Sequence, residues 1–215
     1  MKNLKHLKSW EGFLAIILLV IVIVNSLISE SFLSIENQIN LFVLSIEKVI
    51  IVLIMAKIII NAEIDLSVAS MMGLSACALG WFVESGMPMT MALIASITIG
   101  AIGGAFNGFW ITVVKLPSLV VTLAMLIGFR GIARVLIGDR SIKMFPQWFE
   151  DLGQQPFFWH IPFSVMIFLV LLICVVIILQ YTGFGRHIYI IGINQNVALY
   201  SGINVARVKM LLFIF

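Results

Sequence analysis

About twenty mostly apolar residues are needed for a helix to cross the hydrocarbon core of a bilayer. This sequence supplies nearly that length six times: Gly12–Ile28, Leu41–Ile60, Leu66–Val83, Met89–Val114, Leu119–Ile137 and Ile161–Leu179. Apolar residues make up 62% of the chain and charged residues only 11%, against roughly 25% charged in a soluble domain. Mean hydropathy is +1.17. So little charge does not cover a folded surface in water, so lipid must cover much of it. The short alternating segments of an outer-membrane barrel are absent, which leaves helices as the spanning solution. The expected fold is all-α and polytopic, with about six transmembrane helices and the start of a seventh.

The basic excess is small, 13 Lys and Arg against 10 Asp and Glu, and forms no stripe interleaved with aromatics, so a nucleic-acid partner is not expected. Cys77 and Cys174 sit inside apolar runs and read as small hydrophobes. No disulfide framework or metal-ligand spacing is present. His6, His160 and His187 are far apart and near span ends, which suits interface residues better than ligands.

Lys2, Lys5 and Lys8 precede the first apolar run, and no small-residue cleavage site follows it, which fits an uncleaved first span. Basic residues favour the cytoplasmic side, so the amino terminus is expected there. Six crossings then bring the chain back to that side, where Lys115, Arg186, Arg207 and Lys209 also fall. The opposite side receives Arg140 and Lys143, with Arg134 near that end of its helix, and Glu30, Glu36, Glu84, Asp139, Glu150 and Asp151. Its long connection, Gly138 to His160, carries Trp148, Phe157, Phe158 and Trp159, an expected interfacial belt.

Polar residues inside or between the spans are the candidates for function. Glu47, Lys48 and Lys57 interrupt the second span; such charges snorkel, pack in the bundle or face a pathway. Glu63, Asp65, Ser67 and Ser70 stand between two apolar runs. Asp65 and Ser67 suit a helix start, so this stretch is either a tight capped turn or a polar junction beside a translocation pathway. In the fourth span Ser96, Gly100, Gly104, Gly108 and Thr112 recur every four residues, a small-residue stripe that lets another helix approach closely in lipid. Asn107 beside it either bonds across helices or touches the pathway. The inner connection has Asn194 as a helix N-cap and Gly202 as a left-handed terminator. Between them is room for a helix of about two turns, too short to be stable alone. Val197, Ala198 and Tyr200 would be available for contact; a merely ordered loop is the other reading.

There is no G-x-x-x-x-G-K-[ST] phosphate loop, nucleophile elbow or H-E-x-x-H motif, and no enzymatic activity is expected. The chain resembles the permease subunits of bacterial ATP-binding cassette importers for ribose, xylose, rhamnose and autoinducer-2, with branched-chain amino-acid permeases as more distant relatives. The resemblance is carried by Glu63-Ile64-Asp65-Leu66-Ser67-Val68-Ala69-Ser70, by Gly104-Ala105-Phe106-Asn107-Gly108 with Lys115-Leu116-Pro117-Ser118 and Val121-Thr122-Leu123, by Phe129-Arg130-Gly131, and by Thr182 to Asn204. It departs from the family's usual glycines at Glu63, Ala69 and Ile193, and from a usual alanine at Val197.

The resemblance implies one permease domain over residues 1–215, incomplete, with a coupling loop at 182–206. It implies a bacterial cytoplasmic-membrane protein that translocates a sugar or related small polar solute. Glu63, Asp65, Ser67, Ser70 and Asn107 would line the pathway. Gly185, Arg186, Asn194, Val197, Ala198 and Gly202 would couple to the ATPase, and Gly100, Gly104 and Gly108 would pack helices. The implied partners are an ATP-binding cassette subunit carrying ATP and magnesium, an extracytoplasmic sugar-binding protein and a second permease, identical or not. This chain would hold no cofactor of its own. The rivals are an ion-coupled secondary transporter using Glu47, Glu63 or Asp65 as proton carriers, and a non-functional permease fragment. After Lys209 only six residues follow, reaching about 9 Å as a helix against a core of about 30 Å, so the sequence is expected to stop inside a seventh span.

Overall fold

The structure, a computed structural model, describes residues 10–138, 140–142, 145–154, 156–158 and 161–214. Lys2, Lys5 and Lys8, which carried the expected orientation, lie outside the described residues, as do His6, Asp139, Lys143, Trp159, His160 and Phe215. The chain divides into two compact units, residues 1–46 and 47–215.

Each of the six expected spans is a helix: α1 (Trp10–Ile28), α2 (Ile35–Ile60), α3 (Val68–Glu84), α4 (Met89–Thr112), α5 (Ser118–Ile137) and α7 (Phe163–Tyr181). Among the described residues α4, α5 and α7 are long and apolar enough to cross a membrane on length and composition alone. The apolar parts of α1 and α3 are shorter, and α2 carries Glu47, Lys48 and Lys57. The protein is an all-α, multi-pass membrane protein. Among the described residues a strand pair is the one departure, β1 (Pro156–Phe158) against β2 (Ile161–Pro162), antiparallel and a few residues long, in the connection that also holds α6 (Gln147–Gln154). Prolines at both strands keep it from extending.

Within the first unit, α2 begins six residues earlier than the apolar pattern predicts. Ser34 Oγ accepts the Asn37 N–H at 3.2 Å, and the amides of Asn37 and Gln38 both donate to the Phe32 carbonyl. Side-chain capping of this kind adds polar turns to a helix that hydropathy alone begins later.

In the second unit α3 packs on α4 and α5, and α4 packs on α10 (Val205–Ile214). The connection after α7, read from sequence as a loop with one short helix, contains two helices, α8 (Gly183–Ile193) and α9 (Gln195–Tyr200). Thr182 caps α8 by accepting the Gly185 N–H. Phe184, Ile188 and Ile191 follow at helical spacing, and Ile188 and Ile191 are buried with Ala198, Val205, Val208 and Leu212 in one apolar cluster joining α8, α9 and α10. Two glycines in this stretch serve close packing. A Cβ on Gly185 would overlap the carbonyls of Ile178 and Leu179, and one on Gly192 would overlap the carbonyl of Ile60 at the end of α2.

The stripe on α4 meets different partners along its length. Gly104 lies against the Phe213 backbone, a Cβ on Gly108 would come 2.7 Å from the Met210 sulfur, and one on Gly100 would come 3.3 Å from Ser75 Oγ on α3. Gly103, off the stripe, faces Met71 and Phe129. In lipid, where helices gain nothing by hiding apolar surface, such close approach is the main source of association. By contrast, no side chain of α7 is buried. Gly104→Leu is therefore expected to abolish the monodisperse species on blue-native gels, whereas Gly131→Leu, with nothing within 4 Å of a Cβ there, should leave it intact.

Candidate functional site

The site is built where the second unit's helices begin and end. After α2 the chain does not run straight into α3. Ala62 turns it through a left-handed conformation, φ +59°, and seven residues, 61–67, separate the two helices. Their backbone groups need partners in or beside a membrane, and the surrounding side chains provide them. Asn61, 1% exposed, donates its Nδ2 to the Ile188 carbonyl at 3.2 Å. Ser118 Oγ, at the start of α5, accepts the Ile64 N–H at 3.3 Å, and Thr122 one turn later donates to the Ile64 carbonyl at 3.4 Å. Two hydroxyls four residues apart on α5 thus hold both backbone groups of one junction residue.

A second chain of bonds runs inward. Asn107 Nδ2 donates to Ser67 Oγ at 2.8 Å, and Ser67 donates its hydroxyl and its backbone N–H to Asp65 Oδ1 at 2.6 and 2.8 Å. Asn107 and Ser67 are 1% exposed and Asp65 8%. Asp65, not Ser67, supplies the cap, for Ser67 sits at the N-cap position of α3 without a side-chain bond to the helix. Burial pushes the Asp65 carboxyl above its ordinary range, against the opposing pull of the bonds from Ser67 and from the Val68 backbone. Asn107 Oδ1 is buried with no hydrogen-bond partner, a state that costs about 1–3 kcal/mol. Asp65, Ser67, Ser75 and Asn107 border a cavity of about 270 Å³ whose other walls are apolar residues of α2, α3 and α10 and the glycines Gly100 and Gly104 of α4.

Of the five residues expected to line a pathway, the structure brings Asp65, Ser67 and Asn107 into one network. Ser70 is buried one turn into α3. Glu63 goes elsewhere: its carboxylate pairs with Lys209 on α10 and borders a separate cavity of about 440 Å³ beside the α4–α5 turn. Among the proton-carrier candidates, Glu47 is exposed on α2, Glu63 is in an ion pair and Asp65 is hydrogen-bonded.

The expected coupling residues also divide. Asn194 accepts the N–H groups of Asn196 and Val197 at 2.9 and 3.2 Å, and Gly202 follows α9 at φ +78°. Ala198, expected to be available for contact, is 0% exposed, packed against α8 and α10, and Gly185 is buried under the end of α7. The outward face of α9 is Val197, Leu199 and Tyr200, the last 93% exposed, with Arg186 exposed on α8.

Sequence reasoning missed Ser118, Thr122, Gln195 and Lys209. Ser118 and Thr122 carried a readable signal, two hydroxyls one turn apart at a helix start. The pairing of Lys209 with Glu63 spans 146 positions and left no local pattern.

Residues 37–215 match the family described as the permease component of branched-chain amino acid transport systems. The xylose transport system permease protein of Haemophilus influenzae is 31% identical over 74% of this chain and 59% of its own length. The autoinducer 2 import system permease protein of Yersinia pseudotuberculosis is 31% identical over 98% of this chain and 65% of its own length, and that of Yersinia pestis is 30% identical over the same shares. The chain thus spans about three fifths to two thirds of these curated relatives. No solved structure matches it.

Each single loss in the Asn107–Ser67–Asp65 network strands another buried group, so the losses should not add. Ser67→Ala is expected to cost about 1–3 kcal/mol. Asn107→Leu combined with it should cost clearly less than the two changes summed, read by denaturant unfolding in detergent. Additive losses would show the network to be two independent contacts.

Proposed function

The chain belongs to the permease-component family of branched-chain amino acid transport systems, and on that premise we propose that it is the membrane-spanning permease subunit of an ATP-driven importer for a sugar or a related small polar solute. The carrying observation is the placement of a buried polar network at a break between α2 and α3, at the same end of the unit as a short helix capped at both ends. A hydroxylated solute exchanges water for fixed donors and acceptors as it crosses. Asp65, Ser67 and Asn107 are such groups, and the unpartnered Asn107 carbonyl is an acceptor that gains a bond when a hydroxyl reaches it. The names of the xylose and autoinducer 2 relatives support a sugar-like solute.

On this reading the chain makes and breaks no covalent bond. Val197, Leu199 and Tyr200 on α9, with Arg186, meet an ATP-binding cassette subunit, which holds ATP and magnesium. An extracytoplasmic binding protein delivers the solute at the opposite face, and a second permease, identical or related, completes the pathway. The membrane is the bacterial cytoplasmic membrane, with the amino terminus inside.

The reading is tested in liposomes carrying the permease, its ATPase and its binding protein, with uptake of radiolabelled pentoses and hexoses measured with and without internal ATP. ATP-dependent uptake of one sugar class is expected. Uptake that follows a proton gradient and ignores ATP would overturn it. In the same assay, Gly202→Val should sharply reduce sugar-stimulated ATP turnover while membrane insertion stays normal, because a β-branched residue is strongly disfavoured at φ +78° and would displace the end of α9. Unchanged stimulation would show that the shape of this cap does not matter to coupling.

A further inference from the structure

Lys209 serves two acceptors at once. Its Nζ pairs with the Glu63 carboxylate and donates to Gln195 Oε1 at 3.1 Å. These three residues belong to three separate pieces of structure. Glu63 lies in the α2–α3 junction two residues before Asp65, Gln195 is the first residue of α9, and Lys209 is on α10, which packs along α4 and so beside Asn107. The Glu63 and Lys209 side chains are each 13% exposed, so solvent screens the pair far less than an ion pair on an open surface. Breaking it would leave a charge largely out of water, a cost much greater than that of losing a neutral contact.

We propose that Lys209 is a positioning residue that ties the location of α9 to the polar network at the start of α3. The inference rests on the permease reading above, and supplies the route by which movement at the ATPase-facing helix reaches the solute-facing residues. A displacement of α9 carries Gln195 with it. Lys209 follows Gln195 or gives it up, and in either case the Glu63 carboxylate is pulled or released. Glu63 joins to Asp65 through Ile64 alone, and Ile64 is hydrogen-bonded on both backbone groups to α5. A pull on Glu63 therefore loads the Ile64 bonds to α5 together with the chain leading to Asp65 and Ser67, so the junction and the start of α5 shift as one piece. The cavity of about 440 Å³ bordered by Glu63, Lys115, Ser118, Gln195 and Lys209 leaves these side chains room to exchange partners.

The test uses the complete complex in liposomes, reading sugar-stimulated ATP turnover alongside the amount of assembled complex on blue-native gels. Glu63→Gln and Lys209→Gln are each expected to lower stimulated turnover about tenfold, a usual size for coupling between sites. The exchange E63K/K209E should recover most of it, because the Gln195 amide can turn to donate to a carboxylate at 209. Gln195→Leu, which leaves the ion pair in place, should also lower stimulation while the complex assembles normally. Wild-type stimulation in Gln195→Leu or in both single charge variants would overturn the proposal. So would losses that merely track a loss of assembled complex and are not recovered by the exchange, since the pair would then be structural. A wild-type complex that assembles but shows no sugar-stimulated turnover would overturn the permease reading and the relay with it.

Discussion

The interruption between α2 and α3 sets the problem that the second unit solves. A continuous helix satisfies its own backbone; a break in or beside a bilayer leaves N–H and C=O groups for which lipid has no partner. Residues 61–67 form such a break, and the helices around it are positioned to satisfy it. Asn61 reaches α8, Ser118 and Thr122 come up from α5, and Asn107 arrives from α4. Three elements distant in sequence converge because each contributes a hydrogen bond to the same short stretch. A polar site within an apolar bundle follows from that convergence.

Packing reinforces the arrangement by removing side chains where elements meet. Gly192 lets α8 touch the end of α2, Gly185 lets α8 fold back under α7, and Gly104 lets α10 lie on α4. The apolar cluster of Ile188, Ile191, Ala198, Val205, Val208 and Leu212 then binds α8, α9 and α10 together. The short helix α9 would not be stable alone; with Ala198 fully enclosed it is held by its neighbours and presents one fixed face.

The spanning helices were legible because hydropathy reports directly on the solvent they meet, and both ends of α9 were legible because Asn194 and Gly202 have local conformational reasons to be there. α8 was not anticipated within the inner connection, because the packing that holds it, at Gly185 against the end of α7 and Gly192 against the end of α2, is visible only in space. Asp65, Ser67 and Asn107 could be named as polar residues in apolar surroundings, but not as one network, since 40 positions separate Ser67 from Asn107. Glu63 was grouped with Asp65 by proximity in sequence. Its partner lies on α10, and only the fold reveals that the two carboxylates face different cavities.

The glycine face of α4 has a mechanical consequence. Where Gly104 meets the Phe213 backbone and Gly108 meets Met210, α4 offers a groove without knobs. Separating the two helices forfeits every contact in the groove at once. The Phe213 side chain, buried with Ile111 and Val121, fixes the register along that groove as a key fixes a shaft. With backbone on backbone and one ring seated between α4 and α5, the seam resists both parting and sliding, so α10 and α4 behave as one rigid rod pair.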